Sequence, residues 1–168
     1  MIQGYYDMED EVYCKRLGKI EEADITDHGR SILGISICFD FGGSSQCMSP
    51  VVDNPLKINT GEFISRVGTL FGCELIRLLM VGFNVTRFSD IKGKTALALY
   101  RKDGGAAKRN EMIDGIEIPS QFRGKHQHGD FIIDTEQVLE YCERLEKIDQ
   151  ANLTEEEGIF FQKKLKDG

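Results

Sequence analysis

The sequence predicts an α+β fold: an antiparallel sheet of four to six strands in a meander, covered by two or three helices. Three features predict it. From Leu33 to Phe41, apolar Leu33, Ile35, Ile37, Phe39 and Phe41 share one parity, and Gly34, Ser36, Cys38 and Asp40 share the other. That is the two-residue period of a strand with one oily face. Between Thr60 and Phe83, Phe71, Leu75, Leu78, Leu79 and Gly82 recur at helical spacing. After Asp134, Val138, Leu139, Cys142, Leu145 and Ile148 do the same.

In chain order, residues 9–25 read as a long charged first strand, with Gly18 as a candidate bulge. Asp27-His28-Gly29-Arg30 supplies the turn into the second strand, residues 32–41. Gly42-Gly43-Ser44-Ser45 is a turn, and Cys47 to Val52 returns as a third antiparallel strand. The main helix starts either after Asn59, with Glu62 completing a capping box, or after Thr69. Gly68 and Gly72, four apart, fit a helix lying close on a sheet or a helix start near Gly68. Thr95–Arg101 and Met112–Ile118 read as short strands, and residues 120–130 as an exposed polar loop. Asp134 or Thr135 caps a second helix, and Thr154 with Glu157 opens a terminal one. The whole, residues 1–168, is expected to be one domain with a C-terminal helical part over 134–166.

Charge narrows the function classes. The net charge is −7, unevenly spread: residues 87–128 hold nine basic and five acidic side chains, and the rest of the chain is strongly acidic. Phosphate backbones repel such a protein, so direct nucleic-acid binding is disfavoured and basic proteins are the natural partners. No apolar run is long enough to span a bilayer. The polar, acidic start MIQGYYDMEDE is unlike a secretory signal, so the expected location is the cytoplasm, with the five cysteines reduced.

No catalytic constellation is expected, but four stretches invite chemistry. His126, His128 and Asp130 alternate on an extended segment and form the one dense set of metal-capable side chains. Zinc needs a fourth ligand, which Cys142 or Cys47 would supply, giving a zinc-binding protein or metal-dependent enzyme as an alternative function. Asp27 with His28 has the composition of an acid–base pair, and also that of an ordinary hairpin tip. Gly42-Gly43-Ser44-Ser45-Gln46 offers backbone amides to an anion but lacks the lysine and following helix of a phosphate loop. Cys38 and Cys73 have no histidine in a readable pattern, so neither reads as a nucleophile.

The motifs Asp27-His28-Gly29, Gly42-Gly43-Ser44 with Gln46, Gly68-Thr69 with Gly72 and Ile76, and Ile91-Lys92-Gly93-Lys94 resemble those of small uncharacterised proteins encoded by phages and prophages. The resemblance covers residues about 17–100 and departs after Gln46, where the relatives continue with glycine and this chain has Cys47-Met48-Ser49-Pro50. It implies a small α+β protein of mobile-element origin that acts on a host protein. An anti-CRISPR inhibitor occupying the basic channel of a CRISPR nuclease is the leading expectation, and a phage DNA-metabolism accessory protein is an alternative. For such an encounter the candidate residues are an N-terminal acidic cluster, Asp7, Glu9, Asp10 and Glu11, and a C-terminal one, Glu140, Glu143, Glu155, Glu156 and Glu157.

Overall fold

In the computed structural model the described residues are 8–57, 60–104, 113–124 and 129–147. They form an α+β arrangement with nine strands and two α-helices among the described residues: β1 (Met8–Glu9), β2 (Tyr13–Asp27), β3 (Leu33–Asp40), β4 (Ser45–Met48), β5 (Asp53–Lys57), β6 (Phe63–Gly68), α1 (Leu70–Phe83), β7 (Thr95–Arg101), β8 (Gly115–Ile118), β9 (Phe131–Asp134) and α2 (Thr135–Glu146). Seven strands make one antiparallel sheet in the order β4-β3-β2-β7-β8-β9, with β1 also pairing on β2. The other two, β5 and β6, form a separate hairpin.

The alternation in β3 sends Ile35, Ile37 and Phe39 to the core as expected, with two corrections. Ile35, Ile37 and Phe39 are fully buried and pack with Leu75 and Leu79 of α1. Leu33, expected on that oily face, is exposed, because it occupies the first position of β3 beside the hairpin turn. Ser36, of the opposite parity, is also buried, and its hydroxyl donates to Glu22 at 2.7 Å. In β7, Ala96, Leu97, Ala98 and Leu99 are all buried, so both faces of this strand are covered. That explains a sequence, TALALYR, with no polar alternation.

The bulge expected at Gly18 lies further on, between Ile20 and Glu22. Gly18 serves packing instead: a Cβ there would stand 2.8 Å from the Phe41 ring. That ring stacks on Phe39 and carries the Arg16 guanidinium 4.2 Å from its centroid. The third strand is shorter than expected and begins earlier, at Ser45. After Met48 only an isolated bridge, Gly34 with Val51, continues the pairing.

Thr69 settles the start of α1. Its hydroxyl accepts from the Gly72 amide and donates to the Val52 carbonyl, so one side chain caps the helix and ties it to the preceding link. At Gly72 a Cβ would lie 2.4 Å from the Val52 Cβ, so glycine permits the helix to press on that backbone. Residues 63–68, which the sequence left with the helix, are β6. Strand β9, Phe131–Asp134, is likewise an element not expected from the sequence, between the 120–130 loop and the second helix. The second helix forms, its cap being Asp134, which accepts from the Glu136 and Gln137 amides. Of its expected apolar face Val138 and Cys142 are buried, Leu139 and Leu145 are exposed, and Ile148 lies outside the described residues. The terminal helix expected after Thr154 lies outside the described residues.

Candidate partner-binding groove

Helix α2 forms one wall of a concave site. It presents a stripe at helical spacing: Glu136, Leu139, Glu143 and Glu146, with Thr135 and Cys142 alongside. Facing it is the link from β4 to β5, through Ser49, Pro50 and Val51, with Asn54 on β5. Thr69 and Phe71, at the start of α1, close the floor. The groove holds about 340 Å³, within the range of ligand sites, and among the described residues no lysine or arginine lines it.

Its position follows from the local sequence. The Thr69 cap and the close contact at Gly72 fix the start of α1 against Val52. The Asp134 cap fixes the start of α2, and Thr135 donates to the Asp114 carbonyl at 2.9 Å. Disulfide Cys38–Cys47 joins directly opposed residues of β3 and β4, which leads into the Ser49–Val51 wall. This pairing corrects the expectation of five reduced cysteines, and it removes Cys47 as a metal ligand. The physical reason is register: antiparallel pairing sets the two Cα atoms 4.0 Å apart.

The electrostatics of the rim are graded. Glu136 lies 3.6 Å from Arg101, which also bonds Asp134 at 2.8 Å. Glu143 and Glu146 make no ion pair among the described residues. Burial pushes the Cys142 thiol above its ordinary pKa, reinforced by Glu74 and Glu146, so it stays protonated and apolar. A buried, protonated thiol is a poor nucleophile.

The other anticipated residues fall in different places. Glu143 lines the groove, while Glu140 is exposed elsewhere on α2. Glu9 pairs with Lys102 at 3.2 Å. Asp10 accepts from the Val12 and Tyr13 amides and pairs with Lys15 at 3.0 Å. Those contacts, the Tyr13 amide first, hold its carboxyl at about 2. Glu11 is exposed. Asp7, Glu155, Glu156 and Glu157 lie outside the described residues, as do His126 and His128. Asp130 accepts from the Ser120 amide at 2.9 Å. Among the described residues no three metal-capable side chains converge.

Two smaller readings dissolve on contact. Asp27 accepts from the Gly29 amide at 2.7 Å, a turn-forming role, and the His28 ring lies over Gly34. In the 42–46 loop, Asp40 accepts the Gly42 amide, Glu21 accepts the Ser45 hydroxyl, and Gln46 accepts from Tyr100. Carboxylates already occupy two donors that an anion would need. Sequence reasoning missed Glu136 and Glu146 as members of one site. Their spacing with Leu139 and Glu143 was readable as a helical stripe, but nothing local announced the opposing wall.

No protein-family model matches this chain, and no characterised protein or solved structure matches it either.

Proposed function

We propose that this protein is a binding protein whose partner is a basic, nucleic-acid-handling protein, and that it acts by occupying the surface the partner uses for nucleic acid. One observation carries the reading: the α2 groove is lined by three carboxylates and, among the described residues, no cation, beside an apolar floor. Such a lining attracts a basic surface and resists phosphate. The net charge of −7 acts in the same direction. The resemblance to phage and prophage proteins points to a bacterial host protein, with a CRISPR nuclease as the leading candidate.

Capture from a host lysate tests it, with Glu136, Glu143 and Glu146 changed to lysine in a control protein. The expected result is a basic partner that is retained at low salt, lost by the control, and displaced by that partner's own nucleic acid. Retention indifferent to salt, to the three substitutions and to nucleic acid would overturn the reading.

A further inference from the structure

We propose that the groove between α2 and the β4–β5 link docks a short extended segment of a partner protein, with an aliphatic side chain between two lysines or arginines. This rests on the reading of the protein as a binder of basic partners and specifies what the site accepts.

The floor and rim ask for different chemistry. Leu139 and Val51 are 40% and 45% exposed, and with half-buried Phe71 they leave apolar surface facing water inside a concavity whose wall is backed by buried Pro50. Covering such surface is favourable in proportion to its area. The rim is acidic at both ends. At about 1.5 Å per residue, Glu136 stands roughly 10 Å along the helix axis from Glu143 and about 15 Å from Glu146. An extended chain advances about 3.3 Å per residue and returns to the same face every second residue. Basic residues at the first and fifth positions therefore lie about 13 Å apart, on the same face as the third. A segment basic–x–apolar–x–basic thus sets its middle side chain on the Leu139–Phe71 floor and its ends on the carboxylates. Glu136 is shared with Arg101, so the Glu143–Glu146 end pulls harder on a cation.

The probe is the peptide acetyl-Gly-Lys-Ser-Leu-Ser-Lys-Gly-amide, labelled with a fluorophore and titrated with the full chain at low salt. Saturable binding is expected. Replacing the leucine by serine should weaken it at least tenfold, and so should replacing both lysines by serine. In the protein, Leu139→Ala and the pair Glu143→Gln with Glu146→Gln should each weaken it at least fivefold, with melting temperature checked in parallel. Glu140→Gln, on the same helix outside the groove, should leave it unchanged.

Several results would overturn the proposal. Equal affinity for the leucine-free peptide, or for spermidine, would mean charge alone. Binding unmoved by the groove variants would place the peptide elsewhere. A concentration-dependent dimer lost on Leu139→Glu would put a second copy in the groove. Affinity that rises when Lys163, Lys164 and Lys166 become glutamine would put this chain's own C-terminal segment there. If the peptide fails while salt-sensitive lysate capture persists, the docking proposal alone falls. If both fail, the partner-binding reading falls with it.

Discussion

The Tyr13 hydroxyl donates to the Asp134 carboxylate across 121 residues of sequence, fastening the start of the longest strand to the cap of α2. Asp134 is fully enclosed, and its other oxygen accepts the first amides of α2 while Arg101 approaches at 2.8 Å. One buried carboxylate therefore joins β2, β7 and the helix that carries the acidic stripe. The arrangement matters to the groove because it sets where α2 begins.

Tyr13→Phe should cost about 1.5–3 kcal/mol of stability, the range for a hydrogen bond to a charged group. Arg101 remains to balance Asp134, which keeps the loss toward the lower end. The pH dependence has a definite sign. Burial first, then Asp134, raises the phenol above its ordinary 10.0. A raised folded value means that the stability is complete below pH 10.0 and declines above it as the unfolded state releases its proton. Chemical denaturation between pH 9 and 11, about the tyrosine range, checks this: the parent should weaken more steeply than Tyr13→Phe. Parallel curves would show that the phenol is not linked to folding.

Asp10 provides the acid counterpart. Its folded value of about 2 lies below the ordinary 3.8, chiefly through the Tyr13 amide and Lys15. A lowered value gives stability that is present above 3.8 and is lost as pH falls toward about 2. The parent should melt higher than Asp10→Asn at neutral pH, and the gap should close as pH falls through that window. A gap that is constant with pH would show that the turn contributes through shape, not charge.

Much of this fold was legible because period and burial coincide. The strand at residues 33–40 buries the apolar Ile35, Ile37 and Phe39, although Gly34, Ser36 and Cys38 of the other parity are buried too, and Val138 with Cys142 marks the inner face of α2. The legible elements end where local chemistry stops deciding. The β6 strand was hidden by glycines and a capping box that suited a helix. Pairing of β5 with β6 is instead reinforced by a cross-strand contact, the two hydrogen bonds that the Arg66 guanidinium donates to the Asp53 carboxylate at 2.7 and 2.8 Å. Cys38 and Cys47 carry no recognisable spacing, since only the strand register makes them neighbours. The groove was half legible: its helical stripe is in the sequence, and its opposing wall depends on tertiary packing.

The Cys38–Cys47 bond closes a loop with a sequence separation of 9. Loop-closure entropy for that length is worth about 2–3 kcal/mol. Replacing both cysteines by serine should lower stability by about that amount. The loss should show first in β4, which pairs with β3 and with no other strand among the described residues. Hydrogen exchange of the Gln46 to Met48 amides under reducing and oxidising conditions checks it. Exchange that does not change on reduction would mean that strand pairing alone holds the edge.

The acidic clusters make the last test, because the structure separates them by what they already touch. Glu9 and Asp10 are paired with Lys102 and Lys15, so a basic partner must compete for them. Glu143 and Glu146 have no such ion pair among the described residues and flank an apolar floor. Steering of a basic partner should therefore depend mainly on α2. Changing Glu140, Glu143 and Glu146 to lysine should slow association with the captured partner at least tenfold, and changing Glu9 and Glu11 to lysine should slow it less than threefold, as about 1.4 kcal/mol per factor of ten implies for unequal charge contributions. Raising salt should slow the parent and leave the α2 variant almost unmoved, since screening acts over about 10 Å at 0.1 M. Stopped-flow association at several ionic strengths measures both. Equal slowing by the two sets of substitutions would mean that the whole acidic surface acts as a diffuse field. A rate indifferent to salt in the parent would mean that apolar contact and shape govern the encounter and that the charge serves solubility.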